Sequence, residues 1–154
     1  MNKDTIVSLD QAIIHAIQKI SLPLARGAIF IVFFWFGILK LFGDSPANPL
    51  VQNLMEQTIP FMTFGEFIVL FGIYEMIIGI AFLIPNLERL AIALLVPHMI
   101  TTFLPLVLLP AITWHAFFVP TLEGQYIIKN LVIIALALAI ASHLKPLASK
   151  EIVN

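Results

Sequence analysis

Four long apolar stretches, at about residues 24–43, 66–85, 90–110 and 126–143, constrain this chain more than any other feature of it. Each reaches the roughly 20 residues that a helix needs to cross the ~30 Å hydrocarbon core of a bilayer. Within that core every backbone N–H and C=O must find a partner inside the protein, so such stretches span as helices. The composition agrees, with 60% hydrophobic and 11% charged residues in a chain of 154, where a soluble domain carries roughly 25% charged residues. The chain therefore reads as an all-α integral membrane four-helix bundle. Residues 24–143 form the bundle, residues 1–23 a cytoplasmic segment before it and residues 144–154 a cytoplasmic tail.

The basic residues set the orientation. Lys3, Lys19, Arg26, Arg89, Lys145 and Lys150 fall on the side shared by the N-terminus, the second loop and the C-terminus, and only Lys40 and Lys129 fall on the other. The bias predicts a multi-pass protein of the inner (cytoplasmic) membrane with both termini in the cytoplasm. The first apolar span begins only after a charged, amphipathic segment and carries no small-residue cleavage pattern, so a retained helix is expected rather than a signal peptide. The segment before that span is patterned. Its residues Ile6, Leu9, Ile13, Ala16, Ile17 and Ile20 share one helical face, with Asp10, Gln11, His15, Gln18 and Lys19 away from it. That pattern predicts an N-terminal interfacial amphipathic helix, capped by Ser8 with Gln11 and separated from the first span by Pro23. The absence of cysteine excludes disulfides and thiolate metal sites. No His or carboxylate spacing fits a metal, and a net charge of −1 argues against a nucleic-acid partner.

Between the spans, Asn48-Pro49 opens a short helix in the first outer loop, and Thr63 with Glu66 forms a capping box at the head of the second span. Pro97, Pro105 and Pro110 predict a kinked third span. Trp114, Phe117 and Phe118 suit an aromatic belt in the second outer loop.

Polar groups inside such helices are costly, about 2.5 to 3.5 kcal/mol for a charge at the bilayer centre, and so point to function or to a specific structural need. Arg26, Phe33, Gly37 and Lys40 lie on one stripe of the first span. Arg26 is expected to anchor the interface near Glu88. In the second span Gly65, Gly72 and Gly79 recur every seven residues, with Glu75 on the same face. Glu75 sits about 13 Å past the helix start, close to the midplane. His98 in the third span is similarly deep. Side chains on a helix tilt toward its N-terminus, so Lys40 on an outward-running helix and Glu75 on an inward-running one point toward each other across a rise of about 9 Å. An ion pair between them is expected. At the mouth of the fourth span Gln125 and Lys129 face the interface, where Lys129 can snorkel, and Asn130 is expected to bond a neighbouring helix.

Several of these residues carry a resemblance. Trp35-Phe36-Gly37-Ile38-Leu39-Lys40, the Gly72, Glu75 and Gly79 series, Arg89-Leu90-Ala91, and Glu123-Gly124-Gln125-Tyr126 with Lys129 and Asn130 make the chain from about Leu24 to Ala141 similar to the DoxX family of small membrane proteins, including its RclC-like branch. The resemblance implies four spans in the inner membrane and functions that are mostly unassigned. Some members are membrane subunits of a thiosulfate:quinone oxidoreductase, others serve redox-stress or reactive-chlorine responses, and some associate with soluble oxidoreductases. The shared positions here are Lys40, Glu75, Gln125, Lys129 and Asn130.

Three functions are open at this point. One is a membrane component of a redox or oxidative-stress system, at most a membrane subunit of a quinone-linked oxidoreductase. It would bind a quinone or similar ligand, with Glu75 and His98 handling protons and Lys40, Lys129, Gln125 and Asn130 on the ligand side. No covalently bound cofactor is expected. A second is a small-solute transporter working as a homo-oligomer, and a third an anchor for a soluble oxidoreductase. A buried polar network that only fixes helix register competes with all three.

Overall fold

The protein is described by a computed structural model that covers residues 3–146. Its elements run α1 (Lys3–Leu41), α2 (Asn48–Thr58), α3 (Phe64–Leu83), α4 (Glu88–Phe103), α5 (Pro105–Leu108), α6 (Pro110–Thr113), β1 (Trp114–Ala116), β2 (Val119–Pro120), α7 (Leu122–Lys129) and α8 (Leu131–Ala141). Four stretches are long and apolar enough to cross a membrane: Lys3–Leu41, Phe64–Leu83, Glu88–Leu108 and Leu122–Ala141. The all-α bundle of four membrane-spanning helices expected from hydropathy is the fold. Residues 147–154 of the expected tail, with Lys150, lie outside the described residues.

The core is a single cluster of Ile29, Phe33, Ile78, Ala81, Phe82, Ala91, Leu95, Met99, Ala137 and Ile140, drawn from α1, α3, α4 and α8. α1 packs chiefly on α3. The outer surface is apolar: Ile31, Trp35, Leu70, Ile77, Leu90, Val96, Ile100, Val132 and Leu138 are all exposed. Bulky apolar side chains on the outside of a bundle with a buried polar interior are what a hydrocarbon surround selects.

The division expected at Pro23 is absent. α1 continues through Pro23 as one helix of 39 residues. A proline removes one bond, here the one to the Lys19 carbonyl four residues earlier. Lys19 is exposed, so that carbonyl can be hydrated, while Leu22, Leu24 and Ala25 favour helix on both sides. At about 1.5 Å per residue α1 is about 58 Å long, nearly twice the hydrocarbon thickness. Residues 3–20 are exposed throughout. Ser8 stands inside this helix, its hydroxyl donating to the Thr5 carbonyl at 3.0 Å, and does not cap it.

The capping box at the head of α3 is formed: the Thr63 hydroxyl accepts from the Glu66 N–H at 3.4 Å, and the Glu66 carboxylate accepts from the Thr63 N–H at 3.2 Å. The third span contains Pro97 within α4, then restarts at Pro105 and Pro110, each the first residue of a one-turn helix. Pro110 has no N–H for the Leu106 carbonyl, and the Trp114 indole N–H donates to it instead at 2.9 Å. Trp114 is thus half-buried rather than purely a belt residue, whereas Phe117 and Phe118 are exposed.

The second outer loop also forms an unexpected hairpin, with β1 antiparallel to β2 and Trp114 opposite Pro120. Phe118 at its tip takes a left-handed φ of 56°. The hairpin delivers the chain to Thr121, whose hydroxyl caps α7 by accepting from the Gly124 N–H at 3.1 Å.

Candidate functional site

Gly37 on α1 and Gly72 on α3 bring two backbones into contact. A Cβ at Gly37 would lie 2.6 Å from the Gly72 carbonyl oxygen, and one at Gly72 would lie 2.7 Å from the Gly37 oxygen. Only glycine permits this approach. Lys40 follows Gly37 by one turn and Glu75 follows Gly72 by one turn. Because the helices are antiparallel, the two side chains start on opposite sides of the contact and tilt back across it. The Lys40 stem crosses directly over Gly72, where an added Cβ would stand 3.1 Å from the Lys40 Cβ. Lys40 Nζ then donates to Glu75 Oε2 at 2.6 Å.

The other carboxylate oxygen is engaged from α4. His98 Nε2 lies 3.1 Å from Glu75 Oε1, and His98 Nδ1 lies 3.3 Å from the Thr102 hydroxyl, one turn further along. Lys40, Glu75 and His98 are only 4%, 6% and 6% exposed. The result is a hydrogen-bonded chain, Lys40–Glu75–His98–Thr102, linking α1, α3 and α4 inside the bundle. Aromatic rings enclose it. Phe71 stacks on the His98 imidazole at 5.2 Å, Phe33 meets it edge-on at 5.0 Å, and Lys40 Nζ lies 5.5 Å from the Phe71 ring centre. Tyr74 sits beside the same imidazole and donates its hydroxyl to the Leu94 carbonyl at 2.5 Å, one residue along from the Ala93 carbonyl that Pro97 leaves unpaired.

The chain can hold either of two proton inventories without moving a heavy atom. With a neutral imidazole protonated at Nε2, His98 donates to Glu75 and accepts at Nδ1 from the Thr102 hydroxyl. With an imidazolium, both ring nitrogens donate, and the Thr102 hydroxyl turns its proton to the His98 carbonyl, 2.8 Å away. Thr101 also donates to that carbonyl at 2.8 Å.

Gln125, Lys129 and Asn130 stand apart from this chain. Gln125 and Lys129 are exposed, and the Lys129 ammonium lies 5.3 Å from the Tyr126 ring centre. Among the described residues, Lys129 shares no ion pair with the buried three. Asn130 does not bond a neighbouring helix as expected. Its amide donates to the Tyr126 and Ile127 carbonyls of its own turn, at 3.0 and 3.2 Å, where α7 gives way to α8. Within the Glu123-Gly124-Gln125-Tyr126 motif, the position with a clear physical requirement is Gly124. A Cβ there would collide with the Thr113 carbonyl oxygen. That carbonyl accepts from the Thr121 N–H at 3.0 Å, and Thr113 is fully buried. The glycine lets α7 dock on α6.

At the opposite end of the bundle Arg26 forms an ion pair with Glu88, as its position suggests, their side chains 17% and 8% exposed. His15, His115 and His143 are exposed. Among the described residues no group of three or more His, Asp or Glu side chains is placed to hold a metal ion.

Fold and site together define a class: a polytopic α-helical membrane protein with a charged, hydrogen-bonded chain buried across three of its helices. Comparison with known proteins goes no further, since no family model, no curated protein and no solved structure matches this chain.

Proposed function

We propose that this protein is a membrane component of a redox or oxidative-stress system that binds the headgroup of a quinone, or of a similar small ligand, at the Lys40–Glu75–His98 chain. The observation that carries this reading is that chain itself. A lysine, a carboxylate, an imidazole and a hydroxyl are hydrogen-bonded in series inside an apolar bundle, with aromatic rings on the imidazole. A quinone oxygen accepts hydrogen bonds from cations of this kind. Its reduction takes two electrons and two protons, and a carboxylate beside an imidazole is suited to deliver protons in a site that excludes water.

The electrons would come from a soluble oxidoreductase partner, so the protein acts as a membrane subunit rather than a complete enzyme. The resemblance to the DoxX family, at Lys40, Glu75, Gln125, Lys129 and Asn130, supports the same reading. In this reading the protein sits in the cytoplasmic membrane with both termini inside, the orientation that the positive-inside bias favours. Asn130 secures the junction of α7 and α8 in this scheme, and Gln125 and Lys129 lie exposed at the mouth of the fourth span, on the ligand's way in.

The test is Glu75→Gln, which keeps shape and removes the charge. Quinone binding to the purified protein is expected to weaken by about tenfold or more, with loss of survival under oxidants in cells that depend on the protein. Unchanged binding and survival at normal protein levels would overturn the proposal.

A further inference from the structure

A groove of about 530 Å³ runs along the outside of the bundle between the third and fourth spans, well within the size of small-molecule sites. Its walls come from α4 and α5, through Ile92, Val96, Ile100 and Val107, and from α8, through Ile134 and Leu138. Every lining side chain is apolar. From Ile92 to Val107 it extends about 22 Å at helix rise, more than the roughly 15 Å of one leaflet's hydrocarbon.

One end of the groove is cationic. At 100° per residue Arg89 falls on the stripe of Ile92, Val96, Ile100 and Val107, one turn before the groove begins. Its side chain tilts toward the helix N-terminus, away from the apolar walls and toward the headgroup level. Lys145 follows α8 at the same end, and an Arg89 guanidinium N–H donates to its backbone carbonyl, which ties the segment after α8 to the start of α4 and brings a second basic residue to this end of the groove. The neighbouring carboxylate, Glu88, is buried and taken by Arg26. Among the described residues no carboxylate pairs with Arg89 or Lys145. A guanidinium has five N–H donors, so most of them remain available to an anion.

We infer that this groove is a binding site for an anionic phospholipid, with one acyl chain along α4 and α8 and the phosphate held by Arg89 and Lys145. Charge complementarity selects the headgroup. The walls select a flexible chain over another helix: Val96, Ile100, Val107 and Leu138 are exposed by 54%, 60%, 77% and 63%, and close helix packing in membranes uses small residues at such positions. The mouth lies at the end that the positive-inside bias assigns to the cytoplasm, where anionic lipids concentrate. The inference is independent of the redox reading and uses none of its residues.

Native mass spectrometry of the purified full chain, in detergent with equal phosphatidylglycerol and phosphatidylcholine, tests it. Phosphatidylglycerol adducts are expected to exceed phosphatidylcholine adducts by at least fivefold. Each of Arg89→Gln and Lys145→Gln should cut retention about fivefold, from the attraction typical of one cation near an anionic surface. Arg89→Lys should restore most of it. Ile100→Trp, which narrows the groove while leaving both cations, should weaken retention of either lipid. Lys19→Gln, at the same end but off the groove, should change nothing. Equal retention of the two lipids by the unaltered protein, or a Lys19→Gln effect as large as that of Arg89→Gln, would overturn the site. So would a quinone retained in place of phospholipid and indifferent to Arg89.

Discussion

The α1–α3 seam and the α4–α8 seam are made from equally apolar helices, yet they are held by different physics. The first is closed to backbone contact at Gly37 and Gly72 and bridged by the buried Lys40–Glu75 pair. The second packs at its inner edge through Leu95, Met99 and Ala137 and opens outward as a groove walled by branched and bulky side chains. In hydrocarbon there is no hydrophobic drive to bring two apolar helices together, because lipid tails satisfy a leucine as well as another leucine does. Close packing and polar bonds must hold a seam. The contrast teaches that the polar chain is also part of what assembles the bundle, so its functional and structural roles must be separated by experiment.

The largest effect is expected from removing one partner of the buried pair. Glu75→Leu leaves the Lys40 ammonium without its carboxylate in a site only 4% exposed. Breaking a buried pair from one side costs about 3–5 kcal/mol. Lys40→Met combined with Glu75→Leu should recover most of that loss, because it removes the stranded charge. Unfolding in mixed micelles, run as a double-mutant cycle, measures both. A double variant as unstable as the single would show that the seam does not depend on charge pairing.

Next comes Gly72→Ala, which places a methyl group 2.7 Å from the Gly37 oxygen and against the Lys40 stem. Overpacking of this kind costs about 1–3 kcal/mol. Gly27→Ala is the control on the same helix pair, since nothing lies within 4 Å of its Cβ position, and it should be neutral or slightly stabilising. The same unfolding assay should rank the two. Equal stabilities would mean that the helices separate at little cost and that the glycines are not what sets their approach.

Much of this seam was legible in the sequence. Opposed helix directions and the N-terminal tilt of side chains were enough to pair Lys40 with Glu75, and the seven-residue glycine series lies on the face that meets α1 at Gly72 and Gly79, although Gly65 has nothing within 4 Å of it. The rest depended on facts that periodicity does not carry. Thirteen phenylalanines look alike in a chain this apolar, so nothing singled out Phe71 as the ring that stacks on His98. Pro23 has the same local signal whether it ends a helix or sits within one, and here it sits within α1. Asn130 could bond a neighbour or its own turn, and the break between α7 and α8 supplies nearer carbonyls. The hairpin at 114–120 was hidden because a run of aromatics closed by Pro120 suggests only an irregular loop.

A smaller effect is expected where α3 meets α4. Tyr74→Phe removes the hydroxyl that donates to the Leu94 carbonyl at 2.5 Å while keeping the ring beside His98. The loss of one such bond is worth about 0.5–1.5 kcal/mol. Hydrogen exchange of the amides around Pro97 should rise in the variant. Unchanged protection would mean that the kinked segment is supported by packing alone.

The smallest effect belongs to the open seam. Leu138→Ala shortens a groove wall that is 63% exposed. In a soluble core, truncating a leucine costs about 2–5 kcal/mol because a cavity remains. Here a lipid tail can follow the receding surface, so a change within about 0.5 kcal/mol is expected, as for surface substitutions generally. Unfolding measured in bilayer discs, and again in a short-chain detergent that fills grooves poorly, distinguishes the cases. A small loss in the bilayer and a larger one in detergent is the result that a lipid-filled seam requires. A loss of several kcal/mol in both would mean that α4 and α8 close on each other in the membrane, and the difference between the two seams would disappear.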